Sequence, residues 1–229
     1  MRAAQGATQG PRRDRAETEH FGGVKVVVPI PDRRRRLAAA KLGMRLFIVT
    51  LAVLFASSIL AFLFVRFAPS GEQSTESTWS TAGLPPELWL STALLAASSV
   101  ALERGFRALR SGGRNRSLRA IRVAGGLALA FLFMQGWCWV RVAGELGIVA
   151  AGGEPESAPL AVWSFIVLTA LHALHVIGGL VPFALVLRRI ASGRYTASSH
   201  EGLLHLRLYW HFLGVVWLAL FATLAILLG

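Results

Sequence analysis

Residues 160–187 read LAVWSFIVLTALHALHVIGGLVPFALVL, 28 positions without an acidic or basic side chain apart from His172 and His175. About 20 helical residues cross a hydrocarbon core of roughly 30 Å, so this stretch is long enough to span a bilayer. Four further runs of the same kind stand at 45–66, 85–107, 120–141 and 207–228. Barrel strands would show alternating segments of about ten residues, and none is present. Lipid offers backbone groups no water to bond, so each run is expected to be helical. The fold class is therefore all-α, an integral membrane bundle of five transmembrane helices over residues 43–229, preceded by a basic tail over 1–42.

Composition agrees. Of 229 residues, 54% are hydrophobic and 16% charged, and the mean hydropathy is +0.55. Soluble domains carry nearer a quarter charged residues. The net charge of +12 does not point to nucleic acid, because the cations sit in the connections between apolar runs. Lys and Arg number 22 on one side of the predicted membrane and 2, Arg66 and Arg141, on the other. The basic side is expected in the cytoplasm, with the N-terminus inside and the C-terminus outside. The outer connections are acidic instead, with Glu72, Glu76, Glu87, Glu145, Glu154 and Glu156.

The tail holds Arg12, Arg13, Arg15 and the run Arg33–Arg36, and reads as largely disordered. Within it, Val24–Val28 has the composition of a short strand that a partner's sheet would accept. A secretory signal has its apolar core much earlier than residue 45, so the first span is expected to be an uncleaved anchor. One cysteine, Cys138, excludes an internal disulfide and a thiolate cluster, and reads as a packing residue. The runs share no internal repeat, against an inverted-repeat transporter.

Polar side chains inside a span are costly. They are Gln135 in the third run, His172 and His175 in the fourth, and His211 in the fifth. Trp163, Tyr209 and Trp210 lie at span ends and read as interfacial anchors. A haem clamped between helices needs ligands at one depth. At 1.5 Å per residue, His175 is about 20 Å from the inner boundary, His172 about 24 Å and His211 about 6 Å. No histidine on another helix matches, and no thiolate or carboxylate completes a metal shell. A cytochrome b-like haem carrier is thus disfavoured. Paired carboxylates, a nucleophile elbow, a phosphate loop and a zinc signature are all missing, so no catalytic residue is assigned. Gln135, about 20 Å deep from Arg122, is expected to bond His175 across the helix interface. Glu103, beside Arg104 and Arg107, is expected in an interfacial ion pair.

Several motifs are specific enough to carry a resemblance. The fourth run contains His172-Ala-Leu-His175-Val-Ile-Gly178, and the fifth Tyr209-Trp210-His211-Phe212 followed by Val216-Trp217. The first begins Gly43-Met44-Arg45-Leu46-Phe47 and ends Phe64-Val65-Arg66; the second runs from Leu84-Pro85 through Leu88–Thr92 to Ser98-Ser99; in the third, Gln135 follows Phe-Leu-Phe-Met. In these motifs, over residues 42–228, the chain resembles subunit III of the haem-copper (cytochrome c and quinol) oxidases, in a five-helix bacterial form. A small accessory subunit of nitric oxide reductases is a close alternative.

The resemblance implies a subunit without a redox centre, packed on catalytic subunit I and near subunit II, with haem and copper in those partners. It implies phospholipid held between helices and shielded oxygen and proton entry routes. Gln135, His172, His175, His200, Tyr209, Trp210 and His211 are expected at lipid or subunit contacts. Larger members have seven helices, and this chain corresponds to the last five; the two that complete the lipid cleft would come from another subunit. Where many members carry a Ser-Glu pair in the first span, this chain has Thr50 and Leu51.

Overall fold

The computed structural model describes residues 16–21, 24–29, 33–67, 86–145, 160–195 and 201–228. Five helices carry the fold: α1 Arg33–Phe67, α2 Pro86–Arg110, α3 Arg114–Glu145, α4 Leu160–Ala191 and α5 Glu201–Leu228. Each begins or ends beyond the apolar run that announced it. The largest overrun is at α1, which starts at Arg33 rather than near 43. Arg, Leu, Ala and Lys are strong helix formers, and the bilayer surface does not stop a helix whose backbone bonds are its own.

The chain divides into two compact units, residues 1–46 and 47–229. The first holds a β-hairpin, β1 Ala16–Phe21 and β2 Val24–Pro29, antiparallel from Ala16↔Pro29 to Phe21↔Val24. The strand-forming segment at Val24–Val28 therefore pairs with its own chain. The second unit is the membrane bundle. α1, α3, α4 and α5 each contain a stretch long and apolar enough to cross a membrane. α2 is 25 residues long, about 37 Å of helix, and is less apolar.

α2 and α3 form a helical hairpin. The chain reverses at Ser111–Gly113, where Gly112 takes φ +80° and the amides of Gly112 and Gly113 bond the carbonyls of Leu109 and Ala108. A left-handed residue at a helix C-terminus is the usual place for glycine. α4 packs on α3, α5 packs on α4, and α5 closes back onto α2. The α4–α5 approach is close: a Cβ at Gly179 would stand 2.7 Å from the Tyr209 ring, so only glycine fits. α1 adds to this four-helix ring through large side chains. Its Leu51, Phe55 and Phe62 are buried, and Phe47 stacks on Tyr209 at 6.0 Å between centroids.

α2 compensates its lower hydropathy by satisfying its hydroxyls internally. Ser98 Oγ donates to the Ala124 carbonyl of α3 at 2.8 Å and accepts from the Trp210 indole of α5 at 3.1 Å. One and a half turns away, Thr92 Oγ1 donates to the Leu88 carbonyl and accepts from the Trp217 indole at 2.9 Å. Without water, such bonds are the only relief available to these groups.

Candidate functional site

The polar groups of the bundle fall at three levels. At the end that carries the Ser111–Gly113 turn, Glu103 of α2 joins two helices. Its carboxylate accepts from Arg107 Nε at 3.1 Å, forms an ion pair with Arg207 Nε of α5 at 2.7 Å, and lies 3.7 Å from His211 Nε2. Arg207 also lies over the Phe106 ring, 4.6 Å from its centroid. The ion pair with Arg107 is the one expected from spacing. Arg207 was not legible there, since it is 104 positions away in the chain. Arg114, at the start of α3, donates to the Ile190 carbonyl at 2.9 Å and to that of Ala191, capping the C-terminus of α4. A cation there also opposes the negative end of the helix dipole.

At the opposite end, Arg141 of α3 pairs with Glu87 of α2. The Trp139 indole donates to Thr169 Oγ1 of α4 at 3.0 Å. Glu87 also lines a shallow apolar pocket of about 580 Å³ with Pro86, Leu90, Phe133, Met134 and Trp137.

Between these levels lies His172, fully buried. Rings from three other helices surround it: Phe55 of α1 at 6.0 Å, Phe131 of α3 at 5.9 Å and Trp217 of α5 at 5.1 Å. Neither of its ring nitrogens has a hydrogen-bond partner. Gln135 is 1% exposed, and both of its amide atoms are likewise unpartnered.

The expected Gln135–His175 bond is therefore not formed. His175 Nδ1 donates instead to the Leu171 carbonyl of its own helix at 2.8 Å, and its backbone carbonyl accepts from Tyr209 Oη at 2.8 Å. Three residues turn a helix by about 300° and advance it by about 4.5 Å, so the two side chains leave the axis about 60° apart; that is enough to leave His172 buried and His175 half-buried. Equal depth alone does not make a bond: both amide atoms of Gln135 stay unpartnered.

The aromatic anchors are also corrected. Trp210 is 1% exposed, inside the bundle against Phe183, and Tyr209 is buried too. Their polar atoms find partners on α2 and α4, so they need no interfacial water. Trp163 is half-buried, as are His175 and His211. Cys138 is buried. His200, and the acidic positions 72, 76, 154 and 156, lie outside the described residues. Leu51 is a buried apolar contact. Among the described residues no cluster of three or more His, Cys, Asp or Glu is placed to hold a metal ion.

The sequence model of cytochrome c oxidase subunit III matches residues 35–227, which takes in all five helices almost whole. The chain belongs to the cytochrome c oxidase subunit III family. Among its relatives, cytochrome c oxidase subunit 3 of Branchiostoma lanceolatum is 30% identical over 193 residues, 82% of this chain and 69% of that protein. The Oncorhynchus mykiss protein of the same name is 32% identical over 187 residues, 80% of this chain and 67% of its own length. That of Sus scrofa is 29% identical over 187 residues, with the same coverage. Membership makes the chain a multi-pass membrane subunit of the respiratory chain, in complex with other oxidase subunits. Nothing in these matches favours a nitric oxide reductase accessory subunit or a haem-carrying cytochrome.

Proposed function

We propose that this chain is the non-catalytic subunit III of a haem-copper terminal oxidase, covering subunit I, touching subunit II and sustaining oxygen reduction without performing it. Haem and copper belong to those partners. The observation that carries the reading is what the bundle does with its polar groups. Trp210, Trp217, Trp139, Tyr209, Arg114 and Glu103 are engaged in joining helix to helix. None of them is arranged as a nucleophile, a general base or a redox ligand. What faces outward is apolar, including Phe64, Phe133, Trp137, Val181 and Val215.

Of the residues assigned by resemblance, His175 and His211 keep exposed surface for phospholipid or a neighbouring subunit. Gln135, His172 and Trp210 support that surface from within. Orientation rests on the charge asymmetry, with the basic inner ends of α2–α5 in the cytoplasm of a cell whose plasma membrane holds the complex.

The experiment is deletion. Membranes lacking the chain should keep at least part of their oxidase haem spectrum, while oxygen consumption starts and then decays faster during turnover. Unchanged spectrum together with unchanged sustained respiration would show that the chain does not serve this oxidase.

A further inference from the structure

Gln135 and His172 together leave four polar side-chain atoms buried and unpartnered in the middle of the bundle. Two contacts set the register of the helices that carry them. Trp139 of α3 meets Thr169 of α4, and Gly125 of α3 approaches Phe183 of α4, where a Cβ would lie 3.1 Å from the ring. The fourteen-residue step from Gly125 to Trp139 is matched by the fourteen-residue step back from Phe183 to Thr169. The helices are antiparallel and in phase across this interval. Gln135, four residues before Trp139, then stands level with Ala173, the neighbour of His172. Phe131 lies one turn from Gln135 on the same face of α3, and its ring contacts His172. The register thus brings the two buried side chains to one level, with Phe55, Phe131 and Trp217 packed around His172.

Buried polar groups in native proteins are rarely left unpaired, and the common remedy where they do not pair directly is an internal water. We infer that Gln135 and His172 form an internal binding site for a single neutral hydrogen-bonding molecule, a water, that bridges α3 and α4. The chemistry of the two side chains matches that ligand. A neutral imidazole offers one donor and one acceptor, and a carboxamide offers two donors and an acceptor. Water complements both at once. A cation does not fit: among the described residues no third His, Cys, Asp or Glu joins them. The site is independent of the oxidase reading, because it depends only on this chain's own packing.

The first test is a map of the whole complex at a resolution that shows ordered water. A peak within hydrogen-bond distance of both the Gln135 amide and a His172 ring nitrogen is the expected result. A dry interior, or a direct bond between the two side chains, overturns the inference. The second test is a thermal cycle on the purified complex. Gln135→Leu and His172→Phe should each lower the unfolding midpoint, by roughly 2–6 °C, because each strands the other group and the water. The double variant removes the polar site altogether and should fall by clearly less than the sum of the two. His172→Gln, which keeps a donor and an acceptor, should hold most of the midpoint. Additive single losses, or no recovery with His172→Gln, would show that the two residues do not share a ligand. If either single variant fails to accumulate, recovery of the complex in the double variant supports the site and its absence refutes it.

Discussion

α1 contains the most apolar span of the chain, and among its described residues only Leu51, Phe55 and Phe62 are buried hydrophobics. α2 lacks a window apolar enough to be counted as a span, and it buries Leu88, Ser91, Leu95, Ser98, Ala101, Leu102, Gly105, Phe106 and Leu109 along its whole length. The contrast has a physical cause. Hydropathy measures the cost of facing lipid, which matters most for a helix with few neighbours. A helix enclosed by others can carry serine, threonine and glutamate, provided a neighbour bonds each of them. α1 is apolar because few helices of its own bundle cover it; α2 is more polar because α3 and α5 pack against it.

The sharpest way to break this contrast is at the α2–α5 seam. Trp210→Ala removes a fully buried indole together with its bond to Ser98, and should cost about 3–5 kcal/mol. Denaturation of the purified chain in detergent measures it. A cost below about 1 kcal/mol would mean that α2 is held by α3 alone.

Phe55→Ala is the matching change on α1. Phe55 is 2% exposed against the His172 and His175 rings, but α1 touches the bundle on one side only, so lipid can refill part of the space. A loss of about 3 kcal/mol or less is expected, smaller than at Trp210 in the same assay. The reverse ranking would contradict the peripheral place of α1.

These two sites also mark what was legible in the sequence. The existence, number and order of the helices follow from apolar runs and from the scarcity of alternatives in lipid. Their ends do not, because helical hydrogen bonding continues past the hydrocarbon boundary; α5 starts at Glu201, not at 207. Depth is legible by counting residues. Direction around the helix axis is not, because it depends on which neighbour each face meets. Hence the Gln135–His175 bond expected from depth is absent, and Trp210, close to Arg207 in sequence, read as an interfacial anchor while its ring is in the core. Pairs such as Glu87–Arg141 become visible only after the hairpin at Ser111–Gly113 aligns α2 with α3.

A gentler change at the same seam tests the hydroxyls alone. Thr92→Val keeps shape and removes the acceptor for the Trp217 indole. A loss of about 0.6–2 kcal/mol is expected from interhelical bonds in membranes. Thr92→Ser should recover most of it, and a failure to do so would assign the effect to packing by the methyl group instead.

The smallest effect is expected where water competes. Glu103 holds Arg207 across the α2–α5 seam and Arg107 within α2. Arg107 is 76% exposed and its pair is an ordinary i,i+4 contact, so Arg107→Gln should change stability by less than about 0.5 kcal/mol. Arg207 is only 37% exposed, its guanidinium also covers the Phe106 ring, and its partner stands on a different helix. Glu103→Gln keeps the size of the side chain while removing the charge that both arginines face. It should therefore cost more than Arg107→Gln, yet no more than about 1 kcal/mol, since both ends reach the aqueous boundary. Raising salt from 0.01 M to 1 M shortens the screening length from about 30 Å to about 3 Å and should narrow the difference between wild type and variant. A loss that is large and insensitive to salt would place Glu103 inside the hydrocarbon, and would make the inner end of α2 as enclosed as its middle.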